Sequence, residues 1–243
     1  MSELIVEKNA GAVAEHAARI VLAAAREAVA ERKRFLWVLS GGTTPERMYK
    51  LLAASPYRAE MPWADTFVFV GDERFVEEDD PAHNFMMARR ALLDHVPLPP
   101  ANRYPIETYL PSAADVAEEY ASRLRDFFND GPIVFDLVLL GLGDDGHTAS
   151  LFPGKPSLTE TSEPVVATEP GTLPPPVERI TMTFPVLNAA RAVLFLATGE
   201  KKREPLGRVR GGSAAVADTP AAGVRPVSGT LTFLVDEAAS PPD

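Results

Sequence analysis

One histidine in this sequence follows an apolar run and lies inside a glycine-rich segment. The segment reads Gly141-Leu-Gly-Asp-Asp-Gly-His-Thr-Ala-Ser-Leu-Phe-Pro-Gly154, so His147 comes two residues after Asp145. The glycines let the backbone turn sharply, which directs the residue after the turn toward a cleft. Because an imidazole titrates near pH ~6.5, a histidine placed there can accept a proton and return it at neutral pH. The segment therefore predicts proton-transfer chemistry at His147.

Two other loops follow short apolar runs, and both carry residues that can bind an anion. Ser40-Gly-Gly-Thr-Thr44 follows the run 35–39 and precedes a helix with Pro45 near its first turn. A strand, a glycine loop and a helix in this order bind phosphate in α/β proteins, because free backbone N–H groups point at the ligand. Gly71-Asp-Glu-Arg74 follows the run 66–70. We expect the three loops to gather at one edge of a parallel sheet.

The glycines after residue 140 also match the dinucleotide-binding pattern G-x-G-x-x-G. A pyrophosphate site needs its third glycine to open a helix, whereas Pro153 and Pro156 limit any helix here to about two turns. Asp144 and Asp145 would also repel a phosphate. We therefore predict that the segment binds no nicotinamide cofactor.

Strands and helices alternate along the chain. The predicted strands are 35–39, 66–70, 135–140, 179–184, 192–197 and 230–235, and the predicted helices are 12–31, 84–95, one from Ser112, a short turn through Ala190 and one near Gly199. Prolines between 153 and 176 exclude a long helix there, and the tail from Ala238 is expected to be loose. We predict one α/β domain over residues 1–243, with a doubly wound, mainly parallel sheet, helices on both faces and a Rossmann-like arrangement.

The composition excludes several classes of protein. The net charge is −10, which disfavours binding to nucleic acid because the phosphate backbone would be repelled. The sequence has no cysteine, so disulfides, thiolate catalysis and Cys-based metal sites are excluded, and a reducing cytoplasm fits. The amino terminus is too acidic for a signal peptide, and no stretch is long and apolar enough for a membrane span. We expect a soluble, cytoplasmic monomer or weak homo-oligomer.

Six motifs run in order over nearly the whole chain. They are Leu39-Ser-Gly-Gly-Thr-Thr-Pro45, Asp72-Glu-Arg74, His83-Asn84, the stretch from Gly141 to Pro153, Arg179-Ile-Thr-Met-Thr183 and Gly199-Glu-Lys-Lys202. Together they resemble the 6-phosphogluconolactonase family, and the stretch Asp145-Gly-His-Thr-Ala-Ser-Leu-Phe-Pro153 is the most specific. Glucosamine-6-phosphate deaminases share the first loop and the Asp-Gly-His core. They continue with a carboxylate-bearing Asn-Glu-Pro segment where this chain has Ser150-Leu-Phe-Pro153.

The resemblance implies an enzyme that hydrolyses 6-phosphoglucono-δ-lactone to 6-phosphogluconate without a metal or a cofactor. Opening a lactone requires a base for the attacking water, support for charge on the carbonyl oxygen and an acid for the departing ring oxygen. His147 is our candidate for base and then acid. Asp145 is the candidate for orienting His147 or stabilising its cation.

For the phosphate we expect the backbone N–H groups of Gly41, Gly42 and Thr43, the Thr43 hydroxyl, and the side chains of Arg74 and Lys202. Arg74 is also an alternative for polarising the lactone carbonyl. Lys202 is preferred because the family pattern reads Gly-x-x-Lys, although Lys201 stays an alternative.

Several neighbouring residues have both functional and structural interpretations. We expect Asp72 to support the site, Glu73 to be solvated or ion-paired, and Arg179 to be a weaker candidate for the phosphate. Asn84 either caps the following helix or supports the pocket. Ser150 lacks the Gly-x-Ser-x-Gly pattern of a serine hydrolase, so no catalytic triad is predicted.

Two other functions remain as alternatives. An amino-sugar-phosphate deaminase or isomerase would need a catalytic carboxylate after His147, which this chain does not have. A sugar-phosphate sensor would need a DNA-binding helix-turn-helix and a basic surface, and neither is evident. Whether segment 153–176 closes over the cleft is left open.

Overall fold

The structure is a computed structural model that describes residues 2–171 and 175–241. Within these residues there are ten strands. In chain order they are β1 (Glu3–Glu7), β2 (Phe35–Leu39), β3 (Thr66–Val70), β4 (Asp72–Arg74), β5 (Arg103–Tyr104), β6 (Leu137–Gly141), β7 (Val165–Thr168), β8 (Arg179–Met182), β9 (Ala192–Ala197) and β10 (Thr230–Asp236). Pro174, one of the prolines used to predict an irregular segment 153–176, lies outside the described residues.

Helices connect most of the strands. The α-helices are α1 (Ala10–Arg32), α2 (Thr43–Leu52), α3 (Tyr57–Glu60), α4 (Asn84–Ala88), α5 (Ala113–Phe127), α6 (Phe184–Ala189) and α7 (Arg203–Arg210). A π-helical turn, Arg89–Leu93, continues α4, and short 3-10 turns cover Trp63–Asp65, Pro100–Asn102, Pro156–Thr159, Glu200–Lys202 and Pro220–Gly223. In the described part of the chain, no helix is long and apolar enough to cross a membrane.

Seven strands form a parallel sheet in the order β1-β10-β9-β6-β2-β3-β5. The chain runs from β2 to β3 and β5 at one edge, then returns to place β6 on the other side of β2. The order therefore reverses between β2 and β6. In doubly wound sheets the loops that leave the two strands at such a switch point diverge and leave a crevice for a ligand.

Helices cover both faces of this sheet. Trp37 on β2 packs edge-on against Tyr49 of α2, with ring centroids 5.9 Å apart. Phe69 on β3 is in register with Val38, the neighbour of Trp37, and therefore points to the opposite face. There its ring meets Phe127 of α5 at 5.1 Å. The predicted fold class, a mainly parallel α/β sheet with helices on both faces, is confirmed.

A second sheet of three strands is antiparallel, in the order β4-β8-β7. This corrects two predictions: residues 72–74 form a strand rather than a loop, and the strand predicted at 179–184 ends at Met182 and pairs outside the main sheet. Strands β4 and β8 are short, and they pair with each other although they lie about a hundred residues apart in the chain. Pattern alone cannot identify such partners, because the contacts that define them are tertiary.

Other differences lie near the ends of the chain and in one helix. Strand β1 was not predicted, although it pairs with β10 along its whole length. The tail was expected to be loose from Ala238, but Ala239 is fully buried and its N–H donates to the Asp236 side chain at 3.0 Å. The helix predicted over 84–95 instead consists of a short α-helix and the π-helical turn. One connected hydrophobic core extends through both sheets. The single domain over 1–243 stays a prediction.

Candidate active site

A polar cleft of about 290 Å³ opens at the switch point of the main sheet. The loops after β2, β3, β6 and β9 contribute to it, as expected at the carboxyl ends of parallel strands. Its lining comprises Ser40, Gly41, Gly42, Thr43, Thr44, Pro45, Asp72, Arg74, Asn84, Gly141, Leu142, Gly143, Asp144, His147, Ala149, Leu196, Ala197, Thr198 and Lys202. Most of the residues predicted to bind substrate therefore share one cleft.

His147 is held by a carboxylate two residues earlier in the chain. Its Nδ1 lies 2.6 Å from Asp145 Oδ1, and its backbone N–H donates to the same oxygen at 3.0 Å. Both side chains are about one-fifth exposed, so the pair is only partly shielded from solvent. The Phe152 ring packs against the imidazole at 4.8 Å between centroids. With Nδ1 engaged by Asp145, Nε2 is the ring nitrogen left to exchange a proton with a ligand.

The glycines around His147 have distinct structural reasons. A Cβ on Gly143 would lie 2.0 Å from His147 Nδ1, so only glycine lets the backbone approach the ring this closely. Gly146 has a φ of 91°, a conformation that favours glycine. The Gly143 N–H donates to the His147 carbonyl at 2.8 Å and closes the turn. The segment forms turns and no helix, so no helix N-terminus faces a pyrophosphate here.

The glycine loop after β2 is held in place by hydrogen bonds to a buried tyrosine. The Tyr49 hydroxyl donates to the Ser40 carbonyl at 2.9 Å and accepts from the Ser40 N–H at 3.1 Å. Burial raises the pKa of Tyr49, partly offset by its bond to Ser40, so the hydroxyl keeps its proton. Gly42, at a φ of 104°, turns the chain into α2, which begins at Thr43. The first N–H groups of this ten-residue helix therefore stand at the cleft.

Strand β4, which directly follows β3, is joined to α4 by side-chain hydrogen bonds. The Asn84 Nδ2 donates to the Asp72 carbonyl at 2.9 Å. A Cβ on Gly41 would lie 1.9 Å from Asn84 Oδ1, so the glycine loop also packs directly on Asn84. Asp72 Oδ2 accepts from the buried Ser150 hydroxyl at 2.7 Å. Arg74 reaches the cleft while its Nη1 donates to the Ala82 carbonyl at 2.7 Å.

Glu73 does not behave as a solvated residue, which corrects that part of its prediction. It is fully buried, and its carboxylate accepts from the backbone N–H groups of Arg74, Asn84 and Phe85 at 2.7 to 2.9 Å. His83 Nδ1 lies 3.1 Å from Glu73 Oε2, which makes an ion pair only when the imidazole is protonated, so the ion-paired alternative stays a prediction. His83 rather than Asn84 is the N-cap of α4, with its Nδ1 accepting from a backbone N–H at 3.4 Å.

Lys202 lies in the 3-10 turn that follows β9. Gly199, at a φ of 93°, turns the chain at the end of the strand. The Lys202 ammonium lies 2.6 Å from Asp144 Oδ1, and both side chains line the cleft. Lys201 is exposed and is not part of the lining. The position of Lys202 is therefore the one that suits a role in ligand binding.

Two predicted site residues lie outside the lining of the cleft. Asp145 is not part of the lining, but its carboxylate contacts the His147 ring. Arg179 is buried, donates to the carbonyls of Val177 and Pro175 at 3.3 and 2.9 Å, and lies over the Phe152 ring. Its pKa is lowered by burial and then by the neighbouring Arg74 guanidinium. Arg179 is the cross-strand neighbour of Arg74 in the second sheet and does not line the cleft.

Sequence reasoning missed three polar residues of the cleft. Thr44 and Thr198 hydrogen-bond to each other through their hydroxyls at 2.9 Å and join the loops after β2 and β9. Asp144 was considered only as a group that repels phosphate. The signal that would have found Thr198 is its place directly after a buried strand, the same signal used for the other loops. Among the described residues, no group of three or more His, Asp or Glu side chains is arranged to hold a metal ion.

The fold and the cleft together define an α/β protein with a ligand site at the switch point of a parallel sheet, fitted with a histidine–carboxylate pair. A family model described as glucosamine-6-phosphate isomerases/6-phosphogluconolactonase matches residues 8–233. The chain belongs to this family.

Known relatives agree with this membership. A 6-phosphogluconolactonase from Synechocystis sp. is 41% identical over 216 residues, which cover 88% of this chain and 86% of the relative. The solved structure of a 6-phosphogluconolactonase from Trypanosoma brucei has a TM-score of 0.87 and 30% identity, covering 98% of this chain and 97% of the other. A monomeric glucosamine-6-phosphate deaminase has a TM-score of 0.80 over 98% of each chain at 21% identity, which shows a shared fold alone.

Proposed function

We propose that this protein hydrolyses 6-phosphoglucono-δ-lactone to 6-phosphogluconate without a metal ion, using His147 as the base. The observation that carries the proposal is the His147–Asp145 pair, 2.6 Å apart, in a cleft that also holds a glycine loop, Arg74 and Lys202. The relatives named as 6-phosphogluconolactonases support the choice of substrate. The cytoplasm inferred from the composition is part of the same proposal.

The proton-transfer steps follow from how His147 is held. When Asp145 accepts a hydrogen bond from the Nδ1–H group, Nε2 has a free lone pair and can take a proton from a water molecule. The water oxygen attacks the lactone carbonyl carbon and forms a tetrahedral intermediate. Asp145 stabilises the imidazolium that results. The same Nε2 then gives its proton to the ring oxygen as the bond to the carbonyl carbon breaks, which yields the open-chain acid.

Other residues that line the cleft suit the phosphate. The amino end of α2 supplies backbone N–H groups from Gly42 and Thr43, and its dipole favours an anion. Lys202 adds a cation from the 3-10 turn after β9. Arg74 stands in the same lining with a fork of donors, which fits a phosphate through paired hydrogen bonds. Its alternative role is to polarise the lactone carbonyl.

The deaminase alternative lacks a feature that its chemistry requires. The Asn-Glu-Pro segment of the deaminases falls on Leu151-Phe-Pro153, so Phe152 stands in place of the carboxylate, and its ring packs against the His147 ring at 4.8 Å. A phenyl ring cannot accept a proton, so this position offers no general base. We therefore favour hydrolysis over deamination.

The proposal is tested by following freshly generated 6-phosphoglucono-δ-lactone, with coupled oxidation of the acid product and correction for spontaneous hydrolysis. EDTA is present throughout, and a second series uses glucosamine 6-phosphate with detection of ammonia. We expect rapid lactone hydrolysis that EDTA does not reduce, and no ammonia. Ammonia release without lactone hydrolysis would establish the deaminase alternative. Loss of activity in EDTA would refute the metal-free mechanism.

A further inference from the structure

The ammonium of Lys202 already has an anionic partner within the cleft. Its Nζ lies 2.6 Å from Asp144 Oδ1, and the two side chains are 25% and 38% exposed. Both line the same cleft as the glycine loop and Arg74. A phosphate that approaches Lys202 therefore meets a cation whose charge is already compensated by a carboxylate.

Two adjacent aspartates at the end of β6 have separate partners. Asp145 contacts His147 at 2.6 Å, whereas Asp144 contacts Lys202 at the same distance. Both follow Gly143 in the turn after β6. A change at Asp144 therefore acts on the Lys202 side of the cleft, while the carboxylate that holds the proposed base stays in place.

A bound phosphate would have an unfavourable interaction with Asp144. Like charges at contact distance repel, and the repulsion is largest where water is partly excluded. Lys202 has three N–H donors and could contact both anions at once, but the phosphate dianion would then lie beside a carboxylate. Otherwise the Lys202–Asp144 ion pair must break before the phosphate binds. Either arrangement makes the binding of a phosphorylated ligand weaker than the cations of the cleft alone would allow.

We propose that Asp144 is an internal competitor for phosphate at Lys202, and that it sets the affinity of the cleft for phosphorylated ligands. The proposal rests on the proposed function, since it takes Lys202 as a ligand of the substrate phosphate. The acid product keeps the phosphate and carries a further negative charge after ring opening. Asp144 therefore weakens product binding as well, which favours release of 6-phosphogluconate after each turnover.

The test measures dissociation constants by calorimetry at low ionic strength for 6-phosphogluconate, inorganic phosphate and D-gluconate. The proteins are the unmodified chain, Asp144→Asn, Lys202→Met and the double variant. Glu200→Gln is the matched control, because Glu200 is exposed, pairs with Arg203 at 3.8 Å and does not line the cleft. Asparagine suits the turn at residue 144, so the variant is expected to fold normally.

We expect Asp144→Asn to bind 6-phosphogluconate and inorganic phosphate about three- to tenfold more tightly, an effect that added salt reduces. D-gluconate, which lacks the phosphate, should show little change. The gain should be clearly smaller when Lys202 is already Met, because competition for the ammonium is then removed and only the direct repulsion between Asp144 and the phosphate remains. Glu200→Gln should bind all three ligands like the unmodified chain.

Unchanged or weaker phosphate binding in Asp144→Asn would overturn the proposal, and weaker binding would mean that Asp144 positions Lys202 for the phosphate. An equal gain for D-gluconate, or for Glu200→Gln, would also overturn it, since the effect would then be one of overall charge. Failure of the proposed function has a different signature: absence of lactone hydrolysis by the unmodified chain. The response to inorganic phosphate still decides the role of Asp144 in that case.

Discussion

At the scale of single residues, the chemistry depends on how His147 is oriented. Its ring is fixed by Asp145 through both the side chain and the backbone, and by contact with Phe152. A histidine in a flexible loop would catalyse the reaction more slowly, because it would first have to adopt the reactive orientation. His147 is held in place before the substrate arrives. The structure thus supports a role for the pair that spacing alone could only suggest.

Replacing the proposed base gives the most direct prediction. We expect His147→Ala to lower kcat by about 10²- to 10⁴-fold, the usual contribution of general acid–base catalysis, with circular dichroism unchanged. His95→Ala is the control, since His95 is exposed and its side chain contacts the Arg90 carbonyl, away from the cleft. Turnover by His147→Ala close to that of the control would rule out His147 as the base.

Gly143 offers a separate test of the histidine's placement. A methyl group there would lie 2.0 Å from His147 Nδ1 and 2.7 Å from Asp145 Oδ1, so Gly143→Ala must displace the pair. We expect kcat to fall more than tenfold while phosphate affinity persists, because a 1 Å misplacement of a reactive group can cost ~10²-fold. Gly207→Ala, whose nearest contact is 3.7 Å, is the matched control and should retain activity. Normal kcat in Gly143→Ala would contradict the importance of this orientation.

The two roles considered for Arg74 make different kinetic predictions. If it binds the phosphate, Arg74→Ala should lower kcat/KM for the 6-phosphate at least tenfold and leave glucono-δ-lactone nearly unaffected. Steady-state kinetics on both lactones measure the difference. Equal losses on the two substrates would favour contact with the carbonyl oxygen instead.

At the scale of elements, the cleft depends on how the ends of the strands are held. Tyr49 on α2 bonds both the N–H and the carbonyl of Ser40, and Tyr120 on α5 does the same for Val70, at 3.1 and 3.3 Å. One buried hydroxyl from each face of the sheet thus satisfies the backbone where β2 and β3 end. At the carboxyl end of the sheet these backbone groups have no neighbouring strand to pair with. Leaving them buried and without a hydrogen bond would be costly.

Removing one of these hydroxyls should affect both stability and binding. Tyr49→Phe leaves the Ser40 backbone groups without this partner in a buried place, so we expect the free energy of unfolding to fall by about 1–3 kcal/mol. The glycine loop starts at Ser40, so KM for the phosphorylated lactone should rise. Urea unfolding and kinetics measure the two effects.

Thr66→Val is a suitable control for Tyr49→Phe. Thr66 is fully buried at the amino end of β3, far along the strand from the cleft, and its hydroxyl donates to the Pro62 carbonyl at 2.9 Å. The variant should lose stability without a change in KM. If both variants changed KM alike, the effect of Tyr49→Phe would be a general loss of stability rather than a loosened loop.

At the scale of the whole molecule, one buried carboxylate joins segments that are far apart in the chain. Asp136 accepts from the Leu36 N–H at 2.8 Å and from Arg32 Nε at 2.9 Å, and it lies 3.5 Å from Arg191 Nε. It therefore ties the end of α1 and the start of β2 to the approaches of β6 and β9. This cluster is at the amino ends of the strands, opposite the cleft.

We expect Asp136→Asn to lower the free energy of unfolding by about 1–3 kcal/mol, because a charge-assisted cluster loses its anion while its partners remain. Activity of the folded protein should be unchanged, since the cleft is at the other edge of the sheet. Thermal unfolding and kcat at low temperature test this, with Asp65→Asn, at an exposed position, as the control. A loss of kcat without a loss of stability would contradict the expectation.

Local pattern was sufficient for the central strands and for the choice of chemistry. The runs 35–39, 66–70 and 192–197 match β2, β3 and β9 to the residue, because a parallel strand covered on both faces must be apolar throughout. The loops after such strands meet at one edge, so strand position was enough to assign Gly41, Arg74 and His147 to one pocket, whereas Lys202 was assigned from the resemblance to the family. Sequence by itself therefore determined the parallel α/β architecture and the edge of the sheet at which the cleft lies.

Tertiary structure decided what depends on partners distant in the chain. Strand β4 and its pairing with β8 bury Glu73 and place Arg179 beside Arg74, and neither position shows a distinctive local pattern. The pairing of Lys202 with Asp144 joins residues 58 positions apart, so only the folded chain reveals it. Hydrophobic periodicity reflects burial, which local sequence encodes. The choice of polar partners depends on distance and direction in space, which only the packed molecule defines.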